Sequence, residues 1–231
     1  MLLLNEKVKF KNPLLTKKLR KEIQKMSNVY DVAMIVGRFQ TFHKGHQHLI
    51  ETALKICDRV IIMVGSAQEC GTERNPLNVE TRIKMIRQVY DDEKRVLVYA
   101  LSDLTNENDV RPEWGRYLLD NVDRYIYKNP EVYVFGNDEP RGFTWFKPED
   151  LKNTTQLIVN REDIPISATM LRDLMVLDER KKWMKWVDPK LHKFYDTLRA
   201  ELMSVEFYQK RAVELRTNLK DYVDELLEKL S

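Results

Sequence analysis

The sequence predicts an α/β protein built on a doubly wound parallel sheet, with a basic arm before it and a long helix after it. Two observations carry that expectation. Short apolar runs of strand length alternate with segments whose apolar residues recur at helical spacing. Three of the helical segments open on residues suited to a helix start, namely Asn78, Pro112 and Ser167. Alternation of this kind buries a parallel sheet between two layers of helices.

The elements follow in order. Residues 1–29 read as a basic helical arm, with Leu15, Leu19, Ile23 and Met26 set among Lys17, Lys18, Arg20, Lys21 and Lys25. Packing on the body is the simpler role for it, and a phosphate- or partner-binding arm is the other. Residues 32–36 form a first buried strand, and His46, Leu49, Ile50, Ala53, Leu54 and Cys57 recur as the stripe of the next helix. Residues 59–65 form the second strand. A loop through Gly71 and Pro76 leads to a helix capped by Asn78, with its stripe at Val79, Ile83, Ile86 and Val89. Residues 95–100 make the third strand, and Pro112 stands at the first position of a helix through Trp114, Leu118 and Leu119. Residues 131–136 and 156–159 complete the strands, and Ser167 caps the helix that carries Thr169 and Arg172. After Pro189 there is neither glycine nor proline, and a 3-4 spacing from Leu198 to Leu230, broken at Gln209 and Arg216, reads as one long helix. The expected division is residues 1–29, 30–188 and 189–231. The last part suits either packing on its own domain or self-association of two copies.

Composition narrows the function classes. Lysine and arginine total 39 against 36 aspartates and glutamates, a net charge of +3, which argues against a nucleic-acid partner. Two cysteines, Cys57 and Cys70, make no disulfide framework and lack metal-ligand spacing, so a reducing compartment is expected. The first apolar run is too short for a signal peptide, and no stretch approaches a membrane span. A cytoplasmic protein without membrane contact is the expectation. Walker A, Gly-x-Gly-x-x-Gly and Gly-x-Ser-x-Gly patterns are all absent, which argues against P-loop, dinucleotide-dehydrogenase and hydrolase chemistry.

The residues at the strand ends point elsewhere. Three of the four histidines fall within residues 43–48, where the first strand gives way to a helix. A helix start offers unpaired N–H groups and partial positive charge, and Gly45 lets a ligand approach the backbone. Arg38 follows the first strand; Ser66, Gln68 and Arg74 follow the second; Gly136 and Asn137 follow the fourth. In an open α/β sheet these ends face one crevice. Two helix starts, two imidazoles (His43 and His46) and three arginines suit a polyphosphate, because the planar guanidinium matches phosphate oxygens.

The segment Gly37-Arg38-Phe39-Gln40-x-x-His43-x-Gly45-His46 resembles the signature of the His-x-Gly-His nucleotidyltransferases, in the form seen in archaeal-type nicotinamide mononucleotide (NMN) adenylyltransferases. Gly65-Ser66-Ala67-Gln68, Arg74-Asn75-Pro76 and Glu80-x-Arg82 are similar to that group's second strand, loop and helix. Residues 166–172, with Ile166, Ser167, Thr169 and Arg172, resemble its closing Ser-x-Thr-x-x-Arg motif. The resemblance runs from about Val32 to Trp186. Thr41 stands where the group usually has proline, and Ala168 where it has glycine or serine.

The resemblance implies a Rossmann-like nucleotidyltransferase fold and the reaction of ATP with NMN to give NAD and pyrophosphate. It implies that His43, His46 and Arg172 hold ATP phosphates, that Arg38 and Arg74 bridge the two substrates, and that Ser167 and Thr169 add donors. Gly37, Phe39, Gln40, Gly45, Gly136, Asn137 and Ile166 would border ATP. Ser66, Asp103 and Trp114, with Arg38 and Arg74, would border NMN. Mg2+ would arrive with ATP, with no dedicated protein ligands. No Glu-rich Nudix box occurs, so the hydrolase activity fused to some relatives is not expected. Another His-x-Gly-His adenylyl- or cytidylyltransferase is the nearest alternative, against which Gly65–Gln68 and Arg74–Pro76 argue. A catalytically silent nucleotide sensor is the other, against which the presence of His43, His46, Arg74 and Arg172 argues.

Overall fold

A computed structural model describes residues 28–105, 111–137, 144–160, 162 and 164–217. Five strands form one all-parallel sheet: β1 (Tyr30–Gly37), β2 (Cys57–Val64), β3 (Val96–Ala100), β4 (Val132–Gly136) and β5 (Thr155–Val159). The strand order is β3-β2-β1-β4-β5. The chain therefore reverses its direction of travel across the sheet between β1 and β4, the switch point where α/β sheets open a crevice beyond their carboxyl ends. The helices are α1 (Lys44–Leu54), α2 (Val79–Val89), α3 (Glu113–Ile126), α4 (Ala168–Val176), α5 (Arg180–Lys185), a 3-10 segment (Pro189–Phe194), α6 (Tyr195–Met203) and α7 (Glu206–Thr217).

Side chains of the central strands alternate between two cores, as the pleat requires. Ala33 and Ile35 of β1, Val60 and Ile62 of β2, and Val132 and Val134 of β4 face the larger core, shared with α1, α2 and α4–α7. Val32, Met34, Ile61, Met63, Tyr133 and Phe135 face the smaller one, closed by Leu118, Leu119 and Val122 of α3. Both faces are covered, which is why these strands read as continuous apolar runs.

Local signals land where expected, with three differences. Asn78 caps α2 by accepting from the Thr81 amide at 2.8 Å, and Ser167 caps α4 by accepting from the Met170 amide at 3.2 Å. Pro112 occupies the cap position itself, one residue before the expected first helical position. Cys57 is buried as expected, but as the first residue of β2 rather than on the helix stripe, because α1 ends at Leu54 and Cys57 pairs with Tyr30. Burial pushes its thiol up to about 12, so it is an inert core group.

The third difference lies after Pro189. The run is helical but divided. Ser204 turns its hydroxyl back onto the Glu201 carbonyl at 2.7 Å, and the helix ends there. The helix that restarts at Glu206 keeps the expected Ala212 in the core but uses a neighbouring residue at two positions. Tyr208 and Leu215 are buried where the uninterrupted spacing would have buried Gln209 and Arg216. Leu191, Tyr195, Leu198, Leu202, Val205, Tyr208, Ala212 and Leu215 all belong to the larger core. The basic arm lies outside the described residues, except for its last two positions, and so does the repeat beyond Thr217. Among the described residues, no helix is long and apolar enough to cross a membrane.

Candidate active site

A cavity of about 190 Å3 opens at the carboxyl ends of β1 and β4. Ile35, Val36 and Gly37 line it from β1, Val134 and Phe135 from β4, and Leu49 from α1. Arg38, Phe39, Gln40, His43 and His46 line it from the turn after β1 and the start of α1; Arg74 comes from the β2–α2 loop, and Ser167, Ala168, Thr169 and Arg172 from the start of α4. The two helix starts singled out in the sequence thus meet at one cavity. Among the described residues three guanidiniums line it and no carboxylate does, so its field favours an anion.

The two imidazoles form the cap of α1. His43 Nδ1 accepts from the Gly45 amide at 3.1 Å, and His46 Nδ1 accepts from the His43 amide at 3.3 Å. Since Nδ1 is an acceptor in both rings, each neutral imidazole carries its proton on Nε2 and donates from there. The rings stack with centroids 3.8 Å apart. Phe39 and Phe42 hold His46 from two further sides, at 4.8 Å and 5.7 Å between centroids. Phe39 takes a left-handed φ of 53° and tucks its ring under Gly37, where an added Cβ would come within 3.3 Å of it. Gly45 is buried inside the first turn of α1, its amide engaged by His43.

Gln40 lines the cavity, yet its amide serves the loop. It donates to the Leu77 carbonyl at 3.1 Å and to Asn75 Oδ1 at 3.3 Å, and it accepts from the Leu77 amide at 2.9 Å. Its carbonyl accepts from Arg172 Nη1, while Arg172 Nη2 donates to Thr169 Oγ1 at 3.1 Å. Arg172 Nε is buried without a hydrogen-bond partner among the described residues.

Arg82 is the residue whose role sequence reasoning missed. It is fully buried at the base of the site and donates to four carbonyls: Gly65 at 2.7 Å, Ser66 at 3.0 Å, Arg38 at 3.1 Å and Asn78 at 3.2 Å. One guanidinium thereby ties the ends of β1 and β2 to the start of α2. Burial, reinforced by the neighbouring Arg38 charge, pushes it down to about 10, so it remains cationic at neutral pH. The available signal was an arginine inside the apolar stripe Val79, Ile83, Ile86, Val89 of an otherwise ordinary amphipathic helix.

The remaining expected site residues sit around this cavity. Asn137 and Ile166 line a neighbouring, mostly apolar cavity of about 290 Å3, which shares Ser167 with the first; Gly136 is the buried end of β4 just before it. Ser66, Asp103 and Trp114 are not brought into the lining of either cavity. Asp103 instead accepts from the Ser66 amide and hydroxyl, both at 3.2 Å, and from Gln68 at 3.1 Å. Trp114 is buried and stacks on Trp145, with centroids 5.6 Å apart and planes 28° apart. Among the described residues, no group of three or more histidine, cysteine, aspartate or glutamate side chains is placed to hold a metal ion.

Comparison with known proteins adds to this geometry. The cytidylyltransferase-like family model matches residues 34–202. The nicotinamide-nucleotide adenylyltransferase of Thermococcus onnurineus is 32% identical over 196 residues, which cover 84% of this chain and 92% of that protein. The protein of the same name from Saccharolobus solfataricus is 31% identical over 165 residues, covering 68% and 86%. Among solved structures, a bifunctional NMN adenylyltransferase/ADP ribose pyrophosphatase from Francisella tularensis, crystallised with AMP and a manganese ion, superposes with a TM-score of 0.58 at 26% identity. The match covers 86% of this chain and 56% of that one, so this chain spans a little over half of its length.

Proposed function

The chain belongs to the cytidylyltransferase-like family, and from that premise we propose that it transfers the adenylyl group of ATP to NMN, forming NAD and pyrophosphate. One observation carries the reading. Arg38, Arg74 and Arg172 surround a single cavity together with His43 and His46, and none of its lining side chains among the described residues is acidic. Such a site grips a triphosphate and disfavours a neutral or cationic ligand.

In this reaction a phosphate oxygen of NMN forms a bond to the α-phosphorus of ATP. The bond from that phosphorus to the bridging oxygen breaks, and its electron pair leaves with pyrophosphate. The nucleophile is ionised near neutral pH, so no general base is required. Catalysis is alignment of two anions plus stabilisation of the charge that develops on the leaving group. His43, His46 and Arg172 hold the β- and γ-phosphates. Arg38 and Arg74 span the phosphates of both substrates and offset their mutual repulsion. Ser167 and Thr169 add hydroxyl donors, and Gly37, Phe39 and Gln40 shape the wall, while Gly45 lies behind it, its amide holding His43 in place. Gly136, Asn137 and Ile166 border the adenosine in the adjoining apolar cavity. Ser66, Asp103 and Trp114 stand on the acceptor side. Mg2+ enters bound to ATP, because hard divalent cations of its size prefer phosphate oxygen and water to a basic protein wall.

A cytoplasmic location belongs to the same proposal and is supported by the two free thiols, Cys57 and Cys70. Pairing of two copies through the C-terminal helix is the assembly that its sequence spacing supports, and molecular mass in solution, read by light scattering, tests it.

The test is product analysis with MgATP and a panel of acceptors: NMN, its nicotinate analogue and pantetheine phosphate. Stoichiometric NAD and pyrophosphate from NMN is the expected result. A clean alternative product without NAD overturns the choice of acceptor, and absence of turnover with every acceptor favours a nucleotide sensor. Replacing His46 with alanine removes a donor to the leaving group, and kcat falls about 100-fold or more while the fold persists.

A further inference from the structure

The C-terminal helices reach back to the loop that carries Arg74. Tyr208 of α7 is 3% exposed, and its hydroxyl donates to the Glu73 carbonyl at 2.6 Å. That carbonyl belongs to the peptide bond leading directly into Arg74. The ring of the same tyrosine lies under the Arg172 guanidinium, 6.0 Å from ring centroid to Cζ. One side chain therefore meets the backbone just before Arg74 and the guanidinium of Arg172, two cationic groups that line the cavity from different elements.

A second anchor lies one helix earlier. Glu201 of α6 accepts from the Asn78 amide at 2.6 Å, the Asn78 side chain at 2.7 Å and the Thr81 hydroxyl at 2.8 Å. Glu201 thus fixes the loop where it enters α2, while Tyr208 fixes it beside Arg74. Glu73 and Arg74 are themselves exposed, just before the buried Asn75. Both anchors come from α6 and α7, and Tyr208 lies just past the residues the family model matches.

We propose that Tyr208 is a positioning residue for adenylyl transfer, holding Arg74 and Arg172 in fixed register across the cavity. The proposal rests on the phosphate-gripping role assigned above to both arginines. This single, part-buried hydrogen bond contributes modestly to folding, whereas its loss lets a guanidinium drift by the ångström that alignment cannot tolerate.

The experiment compares the full-length chain with Tyr208→Phe and Tyr208→Leu. Three readouts are taken: kcat and KM for ATP and NMN, calorimetric affinity for inorganic pyrophosphate, and amide hydrogen exchange of residues 72–76. For Tyr208→Phe, which keeps the ring, we expect kcat to fall about 5- to 10-fold with a melting temperature within about 3 °C of the parent. Pyrophosphate affinity drops about 5-fold and exchange in the loop quickens. Tyr208→Leu, lacking the ring under Arg172, loses more of both. A control, Leu198→Val, disturbs the same helical layer and leaves pyrophosphate affinity unchanged. Unaltered pyrophosphate affinity and loop exchange in Tyr208→Phe overturn the proposal. Should the parent make no NAD while Tyr208→Phe still weakens pyrophosphate binding, the positioning role stands and the acceptor assignment falls.

Discussion

Replacing Arg82 with methionine should cost this protein several kcal/mol, although the substitution keeps an unbranched side chain on the buried stripe of α2. Four charge-assisted hydrogen bonds disappear at once, to the carbonyls of Arg38, Gly65, Ser66 and Asn78. Each such bond contributes roughly 1.5–3 kcal/mol net, but four bonds from one guanidinium are not independent. Methionine also removes the cost of burying a cation, which trims the loss. Unpaired carbonyls left in a buried site add to it. Together these give a destabilisation of about 3–5 kcal/mol. For a chain of this size each kcal/mol lowers the melting temperature by about 2–4 °C, so the fall should be about 6–20 °C. Differential scanning calorimetry at neutral pH reads it. Arg82→Lys should land between the two, because one ammonium cannot span carbonyls on three segments. The ends of β1 and β2 lose their common tie in either variant, so activity per folded molecule falls as well. A methionine variant melting within about 2 °C of the parent would show that water or neighbouring amides satisfy those carbonyls, and the reasoning would fail.

Gly115 supplies a prediction in which two effects of opposite sign compete. Alanine gains about 1 kcal/mol of helix propensity in α3, but its Cβ would sit 2.3 Å from the Trp145 carbonyl and 2.4 Å from the Phe146 ring. Overpacking against backbone costs about 1–3 kcal/mol, so Gly115→Ala should lower the urea midpoint; a rise would mean that the Trp145 segment yields freely. The Lys128 cluster predicts a pH dependence. Lys128 lies 2.9 Å from Asp31 and 2.7 Å from Glu131, and its hydrogen bonds hold both carboxyls below their ordinary values of 3.8 and 4.5. A depressed carboxyl stabilises the fold above its unfolded value and loses that contribution as pH falls through the folded one. Lys128→Met should therefore melt below the parent from about pH 5 to 7 and converge with it in stronger acid; a constant gap down to about pH 2 would sink the assignment.

Much of this molecule was legible in residue order because local physics set it. Alternation of apolar strands with amphipathic helices required a covered parallel sheet, and Asn78 and Ser167 cap helices through bonds that span only three residues. The signal for an anion site in residues 37–46 and 166–172 was equally local, since a helix start with histidine or arginine nearby favours phosphate wherever it lies. What residue order could not reveal was which side chains serve the backbone instead of the cavity. Gln40 spends its amide on Asn75 and Leu77, and Arg82 spends its guanidinium on four carbonyls, because segments distant in sequence arrive with unpaired polar groups that burial forces them to meet. The helix after Pro189 shows the same division. Its apolar spacing announced a buried face, but packing in the larger core settled that Tyr208 and Leu215, not Gln209 and Arg216, are buried there. Sequence thus determined the layers, the caps and the charge of the cavity. Tertiary contact decided how the loops were tied and which tyrosine would meet both the Glu73 carbonyl and the Arg172 guanidinium, because those choices depend on atoms brought together only by the folded chain.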